Sequence, residues 1–454
     1  MGQISEIGEY DVAVVGAGSA GCSAAIAAAR AGSRVVLISQ QGFLGGVLVS
    51  GLPILGFFDR EGQRLVGGLA EEYLERLWAI PGGASEHAIG DPWCSSNVSV
   101  NGQLLKCVLA EMMSEAGVTV VFNALVDGVV TNESGRVCGI RLAGKGGESQ
   151  IRAKQIVDAS GDGDVAAMAG APFEIGGTGG IIQAATLMFI LDGIDRDTFH
   201  DYIRNDPDEI RTPLSELDQP AYNVVGLWKL VAKAKQDGAW PVPHDRVLMD
   251  SLPTPSQFAI NLTRVDYPAA LDTMGLSRIE LATQEQVIPL LKFFRSYVPG
   301  FENSYLASVA GNVGIRESRH IIGSYVLTED DLRSGARFSD VIARGGYNID
   351  LHQPSKTGER FPGRHDSVLP YDIPYRILVP LDVEGVIVAG RCVSATHEAA
   401  GSLRVMGQTI AMGQAAGVAA ALAIESSVEL RQVDIPTLQG RLRDQGAVLD
   451  PMPV

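Results

Sequence analysis

Four glycine clusters and one histidine mark where this chain could do chemistry. Gly16-Ala-Gly18-Ser19-Ala-Gly21 follows a short apolar run, Asp11 to Val15, and precedes a stretch of small helix formers, Cys22 to Arg30. In a strand–turn–helix context the first glycine makes the turn and the second lets a pyrophosphate approach the backbone. The third lets helix and strand pack closely, and the positive end of the helix faces the phosphate charge. The second cluster, Gly42-Phe-Leu-Gly45-Gly46, suits a loop passing under a ligand with no Cβ in the way. The third is Val157-Asp-Ala159-Ser160-Gly161-Asp-Gly-Asp164, and the fourth is Gly390-Arg391-Cys-Val-Ser-Ala-Thr-His397, which runs on to Gly407. Clusters at the carboxyl ends of several predicted strands fit one long dinucleotide with a large third ring system, lying across a sheet edge.

These loops need regular elements to hold them. Gly32 stops the first helix, and Arg34 to Ile38 makes a second buried strand, so residues 11–38 read as one βαβ unit. The acid that usually ends this second strand and grips a ribose is replaced by Ser39 and Gln40, which weakens that grip. Tyr73 to Trp78 and Leu104 to Glu115 read as helices, and Val118 to Ile140 alternates like antiparallel strands broken at Glu133-Ser-Gly135. Residues 171–370 differ in texture: proline punctuates them, and they hold most of the aromatics and five of the seven histidines. The first pattern returns with a strand at Gly385 to Gly390 and an Ala/Gly-rich helix reaching Leu422, carrying Met412-Gly-Gln-Ala-Ala-Gly417 with small residues on one face. Gln432 to Val454 reads as a short amphipathic helix and a loose tail. The expected fold class is α/β: a Rossmann-like nucleotide-binding domain from residues 1–170 and 371–454, with an inserted α+β substrate domain at 171–370.

Composition narrows the function. With 53 acidic against 36 basic residues in 454, the formal charge is −17, which argues against nucleic acid or an anionic membrane as partner. Five scattered cysteines without a Cys-x-x-Cys argue against a disulfide framework or a metal site of known spacing. Met1 to Tyr10 has two glutamates and no basic region, unlike a signal peptide, and apolar runs such as Ile181 to Leu191 are too short to span a bilayer. The expectation is a cytoplasmic protein; a homo-oligomer would be unsurprising.

Taken together, the blocks resemble the FAD-dependent oxidoreductases distantly related to fumarate reductase and succinate dehydrogenase flavoproteins. The similarity rests on the first βαβ unit with Phe43-Leu-Gly-Gly46, and on Asp158-Ala-Ser-Gly-Asp-Gly-Asp164 continuing to Gly170. It also rests on the long block from Gly390 to Arg404 with Met412 to Gly417. Val298-Pro-Gly-Phe-Glu302 and Gly314-Ile-Arg-Glu-Ser-Arg319 match in the inserted part. The resemblance implies FAD bound extended, with Gly16, Gly18, Ser19 and Gly21 at the pyrophosphate and Ser39 and Gln40 near the adenosine. It places Gly45 and Gly46 in the loop beneath the cofactor and Ala159, Ser160 and Gly161 beside the adenosine and pyrophosphate. It puts Gly390 and Arg391 near the ribityl chain, and Ser402 and Leu403 at the pyrimidine edge of the flavin. A helix beginning near Arg404 would stabilise the charge that reduced flavin gathers there.

The resemblance departs at the catalytic loop. The fumarate and succinate enzymes carry His-Gly-x-x-Arg before the matching Ser-Leu; here Ala395-Thr-His-Glu-Ala-Ala-Gly401 has no arginine before Ser402. That argues against a simple dicarboxylate substrate. His397 is the first acid–base candidate, because an imidazole titrates near neutral pH, and the alternative is a histidine that ties the loop together. Arg404 could hold a substrate carboxylate or brace the loop, and His352, in Asp350-Leu-His352, is a further acid–base candidate or a satisfied loop histidine. Arg316 and Arg319, with Glu317 between them, are expected to share a helix face as a salt-bridge cluster. Met406 and Met412 read as packing. The expected activity is hydride transfer between FAD and a small organic molecule under the inserted domain, with an electron donor or acceptor the sequence does not name. The competing class is a flavin-carrying subunit that passes electrons to a protein partner.

Overall fold

The strand residues Val12 to Val15 and Val35 to Ile38 are apolar on both faces because both faces are covered. In the computed structural model, which describes residues 5–91, 94–266, 269–352 and 364–450, they form the centre of a parallel sheet. The last four residues of the expected tail lie outside the described residues. β1 (Ser5–Val15) pairs in parallel with β2 (Val35–Ser39), Val12 opposite Val35, and on its other side with the strand Gly147–Asp158. Between β1 and β2 runs α1 (Ser19–Arg30), completing the βαβ unit.

The sheet continues outward in both directions. Thr119–Phe122 lies parallel beside β2, and this corrects the expectation that all of Val118 to Ile140 is antiparallel. The helix Gly102–Glu115 supplies a crossover that returns the chain in the same direction. The hairpin proper is Leu125–Thr131 with Val137–Gly144, turning at Asn132 to Gly135. Gly147–Asp158 pairs antiparallel with Val137–Gly144 at its start and parallel with Val386–Val388 at its end. The C-terminal part of the chain thereby rejoins the sheet begun at the N-terminus.

A second, antiparallel sheet lies in the 171–370 span, in the order Asn223–Gly226, Val247–Ser251, Phe258–Ile260, Phe189–Asp192, Tyr305–Val309. With the helix Thr273–Tyr297 it encloses its own core, where Phe189, Phe199, Phe258, Phe293 and Phe301 meet. Leu327, Ile342, Ile349 and Leu351 belong instead to the core of the parallel sheet. The segment Arg316 to Arg319 is not helical: residues 316–318 belong to no helix or strand and Arg319 begins the short strand Arg319–Ile321, so the helical spacing that would put both arginines on one face is absent.

The longest Ala/Gly-rich helix, Met406–Ser426, lies against α1. A Cβ on Gly413 would stand 2.1 Å from the Ala20 carbonyl oxygen, and one on Gly417 would stand 2.2 Å from that of Ala24. These two glycines, one helical turn apart, allow the two backbones to touch. By length and composition Met406–Ser426 is a better membrane candidate than Ile181 to Leu191, but 89% of its apolar window is buried inside the fold. It is a core helix.

Widening Gly417 to Leu should push the helices apart and cost about 1–3 kcal/mol of unfolding free energy in urea melts. Gly440, inside the helix Ile435–Asp444 with nothing within 4 Å of its would-be Cβ, provides the contrast. Gly440→Ala should gain about 0.5–1 kcal/mol in the same measurement.

Candidate functional site

The turn after β1 sets the site. Gly16 has φ +96°, and a Cβ there would lie 2.3 Å from the Ala159 carbonyl oxygen; a Cβ on Gly21 would lie 1.7 Å from the Gly16 oxygen. Both glycines are sealed by backbone. Gly18 is not: its φ is −80° and nothing lies within 4 Å of where its Cβ would be. It caps α1 without any side-chain hydrogen bond, so the first amides of that 12-residue helix face open space. This is the arrangement that takes a pyrophosphate, and the residues present fit one.

That space belongs to a cavity of about 950 Å³, near the top of the ~300–1,000 Å³ range of ligand sites. It runs from the carboxyl ends of the parallel strands to the antiparallel sheet. At the strand ends its wall includes Gly16, Gly18, Ser19, Ser39, Gln40 and Gly46. Ala159, Ser160, Gly161, Gly390 and Arg391 continue the same wall. The 158–166 loop is held by Asp158, a buried carboxylate that accepts from Ser160 Oγ at 2.7 Å and from the Ala166 amide at 2.9 Å. Arg391 crosses to it, donating to Asp162 and to Ser318 Oγ, each at 2.7 Å. Ser39 is buried, and its hydroxyl accepts from the Gln41 amide at 3.1 Å, closing the turn after β2.

Four cofactor candidates stand outside the wall. Gly21 packs behind it, and Gly45, at φ +99°, turns the loop against Val49. Ser402 is fully buried, 2.7 Å from Tyr371 Oη and donating to the Tyr347 carbonyl, and Leu403 is core. The chain bends after Leu403, so the helix expected from near Arg404 begins at Met406, and Val405, Met406 and Thr409 reach the cavity. Met406 thus lines the site, whereas Met412 is wholly core.

Of the catalytic candidates, Arg404 and His352 line the cavity and His397 does not. Arg404 donates to Asp350 Oδ2 at 3.1 Å, and the same oxygen lies 3.0 Å from His352 Nε2. Burial, reinforced by the charge of Arg316, pushes His352 down to about 4, so it is neutral at pH 7. His397 Nδ1 instead meets Glu317 at 2.6 Å, and His320 reaches the same carboxylate at 2.9 Å. Burial raises Glu317, but the bonds from His320 and His397 outweigh it and hold the carboxyl at about 2. Burial also lowers His397, but the Glu317 bond and charge override it and the net direction is upward. The expected Arg316–Glu317–Arg319 cluster is therefore divided: Arg319 pairs with Asp164 at 2.9 Å, and Arg316 lines the cavity.

The far end of the cavity carries residues the sequence did not flag. Arg211, His244, Arg246, Asp250 and Arg264 project from the inserted span and join Arg316 there. With Arg316 they are spread over more than a hundred positions with no motif linking them, and Arg316 alone stood in a recognisable block. Burial, with Asp91 nearby, raises Asp250 to about 7.

Glu317 and His397 make stability depend on pH from two sides. The lowered carboxyl contributes stability above its unfolded value near 4.5 and loses it as pH falls towards 2. The raised imidazole contributes fully below 6.5 and loses its part as pH rises through its folded value. The melting advantage of the native chain over Glu317→Gln should be largest between about pH 4.5 and 6.5, at roughly 3 kcal/mol or more, and shrink on both sides.

Comparisons with known proteins bear on the family and the fold. The family model described as FAD dependent oxidoreductase matches residues 11–442. Thiamine thiazole synthase of Aeropyrum pernix is 34% identical over 130 residues, 29% of this chain and 42% of that one. Digeranylgeranylglycerophospholipid reductase 1 of Methanococcoides burtonii is 26% identical over 158 residues, 34% of this chain and 38% of that one. The chain thus spans less than half the length of these curated relatives. Among solved structures, the myxobacterial FAD-dependent halogenase CndH superposes with a TM-score of 0.50 at 12% identity, covering 96% of this chain and 79% of that one, a likeness of fold alone. The match over nearly the whole chain decides the matter: this protein belongs to the FAD dependent oxidoreductase family, an enzyme family with FAD as cofactor.

Proposed function

We propose that the enzyme transfers a hydride between FAD and a small organic substrate seated at the far end of the cavity. The observation that carries this reading is the single continuous cavity, which joins the glycine corner at Gly18 to Asp250, Arg264 and Arg316 on the inserted span. Bound FAD supplies two-electron chemistry, which leaves the chain to bind, orient and manage a proton.

Gly16, Gly18, Ser19 and the amides of α1 would hold the pyrophosphate, with Ser39 and Gln40 towards the adenosine and Ala159, Ser160 and Gly161 beside it. Gly390 and Arg391 would face the ribityl chain. Gly21, Gly45, Ser402 and Leu403 would act from behind, by shaping the backbone that makes contact. We read the distant relation to fumarate reductase and succinate dehydrogenase flavoproteins from three blocks together: the first βαβ unit with Phe43 to Gly46, Asp158 to Gly170, and Gly390 to Arg404 with Met412 to Gly417. Residues 1–170 and 371–454 would carry the cofactor, and the part of 171–370 built on the antiparallel sheet would cover the substrate.

The acid–base role moves from His397 to Asp250. His397 is committed to Glu317, away from the wall, while Asp250 lines the cavity and titrates near neutrality, which suits proton transfer in either direction. His352, neutral and held by Asp350, would orient substrate rather than deliver a proton.

The purified protein should show flavin absorption at about one flavin per chain. Gly18→Val adds bulk only where the pyrophosphate would sit. It should lower the melting temperature of the flavin-free protein only slightly, by the small cost of Val at a helix N-cap, but lower FAD affinity about 100-fold, the loss of two charge-assisted hydrogen bonds at ~1.5 kcal/mol each. Unaltered flavin content in that variant would remove the glycine corner from cofactor binding. Once a turnover assay is in hand, Asp250→Asn should cut kcat by about 10²–10⁴-fold and erase the pH limb near 7. A profile that keeps that limb would return the proton to another group.

A further inference from the structure

The arginine-lined end of the cavity has an unusual charge balance for a chain of formal charge −17. Arg211, Arg246, Arg264, Arg316 and Arg404 all contribute to its wall. Three of them meet carboxylates: Arg246 with Asp245 at 3.1 Å, Arg264 with Asp266 at 2.6 Å and Arg404 with Asp350 at 3.1 Å. Arg316 differs. Its guanidinium donates to the Ala184 carbonyl at 2.6 Å, to Thr186 Oγ1 at 2.9 Å and to Asn261 Oδ1 at 3.5 Å, all neutral oxygens. Among the described residues no carboxylate forms an ion pair with it.

A guanidinium held in place by neutral acceptors inside a cavity keeps its charge uncancelled, which is costly unless a ligand cancels it. Of the groups around it, Asp350 offsets part of that charge through space but is held by Arg404 at 3.1 Å and by His352 at 3.0 Å rather than by Arg316. His244 and His352 are both pushed down by burial and then by neighbouring arginines, so at pH 7 neither adds charge nor removes any. Asp250, raised by burial, is only partly ionised at that pH. Burial and the nearby Arg404 bring Arg316 itself down to about 9 against the opposing charge of Asp350, which is too little to balance them.

We infer that Arg316 is the anchor of an anion-receiving subsite, and that the substrate is a small organic anion whose carboxylate or phosphate group supplies the missing charge. This rests on the reading that the far end of the cavity is the substrate's. The planar fork of arginine suits either group, since both present two oxygens side by side. Arg264 and Arg246, already partnered, set the positive field around the anchor and would draw the anion inward. The neutral part of the substrate would then lie towards the middle of the cavity, beside Met188, Leu248 and Val405.

Titration calorimetry on the purified holoprotein tests this with glutarate, glycerol 2-phosphate and the uncharged glutaramide. The two anions should bind and glutaramide should not; whichever anion binds more tightly identifies the group. Arg316→Gln should weaken the better anion by about tenfold or more, and Arg316→Lys, which keeps charge but loses the fork, should recover part of it. Thermal melts of both variants identify a variant that fails to fold, in which case the lysine variant alone is compared. Equal binding of glutaramide and glutarate would overturn the inference, as would native-like anion binding in Arg316→Gln. Calorimetry reads anion binding without reference to flavin colour, so a colourless protein that still binds glutarate through Arg316 would count against the hydride-transfer reading and leave the subsite standing.

Discussion

Backbone contact without side chains is the constraint on which this structure depends. The carbonyls of Gly16, Ala20, Ala24 and Ala159 each stand where a Cβ of a neighbouring chain segment would collide. Glycine at 16, 21, 413 and 417 removes those atoms, so β1, α1, the 158–166 loop and the helix Met406–Ser426 close on one another as nearly bare backbones. The gain is dense packing; the loss is the extra chain entropy that each glycine gives up on folding. The arrangement fixes the direction of α1 and so aims its unsatisfied amides at one spot.

The same constraint explains why the candidate cofactor site is made of two kinds of glycine. Gly16 and Gly21 are structural, and Gly18 is the opening between them. Around that opening each loop is stiffened by its own polar brace: Asp158 for the third cluster, Arg391 bridging to Asp162 and Ser318, and Ser39 closing its own turn. Glu317 does the same for the last loop through His320 and His397. These groups are largely satisfied among themselves, so they stiffen the loops they sit in.

The inserted span contributes by contrast. Its sheet has a separate aromatic core, and the span brings Arg211, Arg246, Arg264 and Arg316 to the shared cavity. The cavity thus differs along its length: backbone amides dominate the Gly18 corner, and most of its guanidinium groups stand at the other end.

The glycine motifs, the βαβ unit and the return of the C-terminal helix were legible in the sequence, because each depends on local spacing and on periodicities of two or 3.6 residues. The Gly16, Gly18 and Gly21 roles follow from the same logic. Tertiary structure decided the rest. Whether Thr119–Phe122 ran parallel or antiparallel depended on a crossover, which alternation alone does not encode. His397 stood in the right loop with the right chemistry, yet a carboxylate eighty positions away captured it. Arg316 and Arg319 looked like one cluster by spacing, but the segment is not helical and the two go to different partners. Arg211, Arg246 and Arg264 share no motif, since a site assembled from distant strands needs only convergence in space. Local order is set by neighbours in the chain, whereas a substrate pocket is set by which side chains the completed packing brings together.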